Sequence, residues 1–360
     1  MDNNAKINIT ELKFVLDNTP AEQNIMLTGR HGIGKSEILT AYFSEKGMKV
    51  IPLFLGQMSD PGDLIGLPDK SADKTIFRPP YWFPLDGKPI VLFLDELNRA
   101  RPEVLQTIMD LALNRKLADK KLPAGSRIIS AVNEGEEYQL TDLDPALVSR
   151  FNIFIFEPSV EEWLVWASKN KLDSRVINFI NTNRQWLDGD PGRLTNEDTG
   201  LDKTPDRRAW KRVSDVIKGN ENLQPFAKLI ASIVGPKAAN KFISTSGIKR
   251  KVAPEKLLKD FDSVYPLLKT LALHDFTILN QDVILYVENH NSSWHENEKK
   301  AYASNVEQYV DYLKLKKLTE SLVFFNKTLY NGTYNGCVAF LSKYAPSVIA
   351  TLQNQVISIG

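Results

Sequence analysis

The chain has 360 residues, with 45 Lys and Arg against 44 Asp and Glu, a formal net charge of +1, and 42% hydrophobic and 25% charged residues. That length holds two or three domains of ordinary size, and the composition is that of a globular protein rather than a disordered or collagenous one. The near-neutral balance excludes a global field that would draw the chain to nucleic acid or to an anionic membrane.

The predicted elements follow in chain order. "INITELKFVLDN" (7–18) reads as a short amphipathic helix entered through Thr10 as N-cap, with Lys13 and Asp17 outward. "NIMLTG" is a buried strand that runs into a glycine loop, and "KSEILTAYFSEKG" is a helix stopped at Gly47. "MKVIPLFLG" is a second apolar strand. Residues 56–89 are rich in Pro and Gly and read as loop with a short hairpin. "PIVLFLDE" is a third strand with an acidic end, "RPEVLQTIMDLALNR" a helix with proline at its start, "SRIISAVN" a fourth strand and "NIFIFEP" a fifth. Short apolar strands alternating with helices predict an α/β domain built on a parallel sheet covered on both faces. After Pro158 the pattern is helical, as in "VEEWLVWASKN", "SRVINFINTNRQWL", "RRAWKRVSDVIKG" and "LQPFAKLIASIVG", and it stays so to the end. Trp163 and Trp166, three apart, read as helix core rather than a stacking platform.

One cysteine, Cys337, excludes an internal disulfide framework and suits a reducing cytoplasm. The four histidines (His31, His274, His290, His295) lack metal-ligand spacing. The polar N-terminus lacks a signal-peptide core, and no apolar run reaches the ~18 residues that span a bilayer. A cytoplasmic protein without a membrane segment is expected.

The chemistry concentrates in a few stretches. Gly29 to Ser36 satisfies GxxxxGK[ST] between a strand and a helix. Glycines let backbone N–H groups wrap a phosphate, and the helix N-terminus adds donors and dipole. Lys35 then supplies charge for the β- and γ-phosphates and the Ser36 hydroxyl can ligate Mg²⁺. "VLFLDE" delivers Asp95 at a strand tip, where it would hold Mg²⁺ through water, with Glu96 beside it to orient or deprotonate an attacking water. Asn133 ends a strand expected beside the Asp-Glu strand, and Arg150 ends "LDPALVSR", a helix begun by Asp144 and Pro145. A glutamate aimed at water favours hydrolysis.

In this order the residues resemble an AAA+ ATPase, and within that class the MoxR group. "DELNRARPEVLQTIMDL", "LPAGSRIISAVN" and "LDPALVSRF" are similar to that group's second Walker strand, first sensor and arginine-finger helix, and "SDPGDLIGLP" to the segment leading to its extra hairpin. The resemblance covers about residues 20–218. It implies an AAA+ P-loop NTPase core with a five-stranded parallel sheet (1–157), an all-α lid (158–240) and an α-helical C-terminal extension (241–360). Gly29, Arg30, His31, Gly32, Ile33, Gly34, Lys35, Ser36 and Glu37 would bind ATP. Ser36 and Asp95 would take Mg²⁺, and Lys35, Glu96 and Asn133 would serve catalysis. Arg150 would act on a neighbouring subunit's nucleotide. In "TPDRRAWKRVSD", Arg208 is the better match to the second sensor and Arg207 the runner-up.

Family members form hexameric rings that remodel or activate a protein client, often one with a von Willebrand factor A domain. Residues 113–125, and the stretch from "DLIGLP" to "FRPP", would be hairpin insertions. A nucleic-acid-translocating motor is the competing reading. Neutral charge and the lack of a basic, aromatic-lined stripe count against it.

Overall fold

Alternation within each strand decides how the first half of the chain packs. The computed structural model describes residues 5–69, 76–133, 143–191, 203–246 and 251–357. The chain divides into two compact units, Met1–Ser159 and Val160–Gly360. In the first, strands β1 (Ala5–Ile7), β2 (Asn24–Gly29), β3 (Lys49–Phe54), β4 (Ile90–Asp95), β5 (Arg127–Asn133) and β6 (Phe151–Phe156) form one sheet in the order β1-β6-β2-β5-β4-β3. All five pairings are parallel.

Successive side chains point to opposite faces. Ile25, Leu27, Val91, Phe93, Ile129 and Ala131 therefore meet Leu12 and Leu16 of α1 (Ile9–Asn18) and Leu39 and Phe43 of α2 (Lys35–Glu45). Met26, Leu92, Leu94 and Ile128 turn the other way, onto Val104, Ile108 and Leu111 of α3 (Pro102–Asn114). Continuous apolar strands with helices on both sides are what an all-parallel sheet requires.

The sheet has six strands, not five. The sixth, β1, adds at the edge of β6 in the register Ala5↔Phe154 to Ile7↔Phe156. Only Ile7 of the three is buried, so the apolar signal in "AKI" is too short to read. The helix that follows is capped by Asn8, not Thr10. The Asn8 side chain accepts the Glu11 N–H at 2.9 Å and the Glu11 carboxylate accepts the Asn8 N–H at 2.9 Å. This reciprocal box places Thr10 inside the first turn. Lys13 and Asp17 do face outward.

Both expected insertions are short antiparallel hairpins. Leu67–Asp69 pairs with Ile76–Arg78, and Lys116–Leu117 with Lys120–Lys121. Residues 70–75, between the two strands of the first, lie outside the described residues.

After Phe156 every regular element among the described residues is helical. One continuous apolar cluster runs through the second unit from Trp163 to Leu352, with helices from both sides of residue 240 contributing. Phe179, Trp210 and Phe242 form an aromatic trio with ring centroids 5.1–5.6 Å apart. Trp163 is buried in that core. Among the described residues no helix is long and apolar enough to cross a membrane.

Candidate functional site

The strand order assembles the site. β5 lies between β2 and β4, so the tip of "IISAVN" falls between the glycine loop and the Asp-Glu turn, with Gly29 opposite Asn133. These are the C-terminal ends of parallel strands, where open α/β sheets bind their ligands.

Gly29 leaves the sheet at φ 151°, and a Cβ there would sit 2.7 Å from the Phe156 carbonyl oxygen. Gly34 is the left-handed N-cap of α2 at φ 95°, which aims the first amides of the helix into the loop. Lys35, 6% exposed, folds back under this loop. Its Nζ donates to the carbonyls of Gly29 at 2.7 Å and Arg30 at 3.0 Å, and to Asn133 Oδ1 at 3.0 Å. Arg30, His31 and Glu37 are exposed on the loop and first helical turn, and Ile33 is buried beneath it.

Ser36 Oγ donates to Asp95 Oδ2 at 3.3 Å. Burial pushes the Asp95 carboxyl up from its ordinary range. The Ser36 hydroxyl pulls it back, and the neighbouring Glu96 charge adds to the rise. A hydroxyl and a carboxylate side by side are hard oxygen ligands that suit Mg²⁺, which keeps much of its water and needs few side chains. Among the described residues no group of three or more His, Cys, Asp or Glu is placed to hold a metal ion.

Glu96 follows in a left-handed conformation, φ 56° and ψ 45°. Asn133 Nδ2 faces its Oε1 at 3.5 Å, and Arg99 Nη1 lies 3.1 Å from each of its oxygens. Asn98 is buried behind them and donates from Nδ2 to the Asn133 carbonyl at 3.1 Å. Its Oδ1 has no hydrogen-bond partner among the described residues. Lys35, Ser36, Asp95, Glu96 and Asn133 are thus brought together as expected. The roles of Asn98 and Arg99 were not read from the sequence, although opposite charges three apart on a turn are a signal for the Glu96–Arg99 pair.

Arg150 stands elsewhere. It follows the short helix Pro145–Val148, capped by Asp144, and immediately precedes β6, whose first residue Phe151 is opposite Asn24. Gly29 ends β2 five residues further on, roughly 16 Å away at ~3.3 Å per residue. No arginine side chain spans that gap, so Arg150 does not reach its own chain's loop. Its Nη1 donates to the Ala146 carbonyl, while its buried Nε has no partner among the described residues.

The second-sensor candidates divide clearly. Arg207 is buried and paired with Asp188, Nε to Oδ1 at 3.0 Å and Nη2 to Oδ2 at 2.8 Å. Arg208 is exposed.

The fold of the first unit is that of an AAA+ P-loop NTPase core. Residues 24–151, which run from the start of β2 to the start of β6, match the family described as AAA domain (dynein-related subfamily). The chain is 27% identical over 140 residues to a protein of Thauera aromatica described as "Putative chaperone BssE", which covers 36% of this chain and 49% of that one. It therefore spans about half the length of this relative. Among solved structures it is similar to the RuvB Holliday junction branch migration motor of Thermotoga maritima, at 14% identity and a TM-score of 0.34 over 71% of this chain and 75% of that one. NtrX of Brucella abortus in complex with ADP is similar at 15% identity and a TM-score of 0.35 over 86% and 68%. Both structural likenesses are weak.

Proposed function

We propose that the chain is an ATPase of MoxR type that hydrolyses ATP to ADP and phosphate as a hexameric ring and uses the reaction to remodel or activate a protein partner. The observation that carries the hydrolytic part is Asn133, which bonds Lys35 on one side and faces Glu96 on the other. A group in that position touches both the phosphate-binding lysine and the carboxylate that would prepare water.

Lys35 leaves its loop carbonyls for the β- and γ-phosphates, which offer a charged acceptor in place of neutral ones. Asn133 holds the attacking water together with Glu96, whose carboxylate accepts its proton. Mg²⁺ held by Ser36 and, through water, by Asp95 would neutralise charge on the phosphate oxygens. Arg150 completes a neighbour's pocket, and the exposed Arg208, rather than Arg207 held by Asp188, supplies the second sensor. Helices 158–240 serve as the lid, packed in one core with the extension 241–360. A von Willebrand factor A domain protein is the client class the MoxR reading favours.

The test separates binding from turnover. Glu96→Gln is expected to keep nucleotide affinity and lose ~10²–10⁴-fold in kcat, while Lys35→Ala weakens binding itself. Wild-type turnover in Glu96→Gln would overturn the mechanism.

A further inference from the structure

Glu96 is held by more than its motif requires. It opens a single helical turn, Leu97–Arg99, in which the Arg99 N–H donates to the Glu96 carbonyl at 2.8 Å. That turn swings the Arg99 side chain back over the carboxylate, with Nη1 3.1 Å from both Oε1 and Oε2. Both side chains are about one-third exposed, 32% and 31%, so the pair is open to water on one side.

Behind it lies Gly56, in the short turn Leu55–Gln57 that follows β3. A Cβ at Gly56 would stand 3.2 Å from Arg99 Cβ and 3.5 Å from Glu96 Oε2. Its backbone is not in the left-handed region, so space rather than conformation asks for glycine here. On the far side stands Asn133 Nδ2, 3.5 Å from Glu96 Oε1. The carboxylate is therefore clamped between a guanidinium and an amide, on a turn backed by a bare backbone.

We propose that Arg99 is a positioning residue for Glu96, seated on Gly56, and that it aims the carboxylate at the water site. The inference rests on the hydrolytic reading of Glu96 given above. A glutamate at a strand tip has three rotatable bonds, and a reacting group misplaced by ~1 Å costs about 10²-fold in rate. A guanidinium that engages both oxygens removes that freedom while leaving lone pairs for water.

The experiment is steady-state ATP hydrolysis with parallel nucleotide-binding titrations on the full chain. Arg99→Gln should lower kcat ~10–100-fold with nucleotide Kd changed less than about 2-fold. Arg99→Lys, which keeps a cationic donor but not the planar guanidinium, should recover part of the loss. Gly56→Ala should lower kcat alone and add little to Arg99→Gln, as expected for two changes acting through one contact. In a Glu96→Gln background, Arg99→Gln should cause no further loss. An Arg99→Gln variant with wild-type kcat beside an inactive Glu96→Gln overturns this proposal and leaves the hydrolytic reading standing. A loss of the same size in both backgrounds, or a matching loss of nucleotide affinity, also overturns it, because either marks a structural role. Wild-type turnover in Glu96→Gln defeats the underlying reading and this proposal with it.

Discussion

Asn133 joins two signals that lie well apart in the sequence, accepting from Lys35 Nζ, ninety-eight positions upstream, at 3.0 Å and facing Glu96. Replacing it with leucine removes the amide at similar bulk. The expected result is a kcat loss of ~10²-fold or more, by analogy with a single lost transition-state donor. Nucleotide affinity should change little, because Lys35 retains two carbonyl acceptors. Turnover assays beside equilibrium nucleotide binding check this, and a loss confined to affinity would contradict it. The residue identities here were legible because loop, strand tip and sensor each announce themselves within a few consecutive positions. The clamp on Glu96 was not. It depends on Gly56, forty residues upstream, whose part is only to leave room for Arg99.

The elements were read well where the apolar pattern is long and poorly where it is short. β2, β4 and β5 carry six or seven residues each and stood out. β1 has three and owes its existence to the free edge of β6. The true cap of α1 had a readable signature, Asn8 followed three residues later by Glu11.

In the second unit, the helix Ser174–Thr182 depends on Asp173. Its carboxylate accepts the Arg175 N–H at 2.9 Å and the guanidinium Nε at 2.8 Å and Nη2 at 2.7 Å. The same guanidinium reaches the Ile217 and Asn220 carbonyls, so one acid secures both a helix start and the end of another helix. Burial alone would push the Asp173 carboxyl up, but the bonds from Arg175 hold it below the usual range. A depressed folded pKa means the contribution is fully present above the unfolded value and fades as pH falls through the folded one. Asp173→Ala should cost about 1 kcal/mol or more through the lost cap, measured by denaturant unfolding at neutral pH. The gap to wild type should close in acid, and an undiminished gap at low pH would contradict the assignment.

Arg150 sets the largest question, how many chains make one site. It lies at the opposite end of the sheet from Lys35 and carries a buried Nε that its own chain leaves without a partner among the described residues. If it serves a neighbour, Lys35→Ala and Arg150→Ala should each be inactive alone, with Arg150→Ala down ~10³-fold or more. Mixed, they should recover part of the activity, since some interfaces then pair an intact loop with an intact arginine. Specific activity should also rise with protein concentration. No recovery on mixing, together with linear activity from a monomer, would rule out the shared site. Turnover strongly stimulated by DNA would instead favour the translocating motor.

Contiguous stretches of the sequence were enough to establish the α/β class, the phosphate loop, the acidic strand tip and the helical second half. Each of these is local, set by residue type and a period of two or 3.6 along a few neighbouring positions. The tertiary structure alone decided that β5 enters between β2 and β4, that Arg207 is spent on Asp188, that Arg99 and Gly56 frame Glu96, and that Arg150 stands at the opposite end of β2 from its own loop. Those facts depend on strand order and on which distant side chains share a few ångströms, and packing settles both only once the whole sheet has closed.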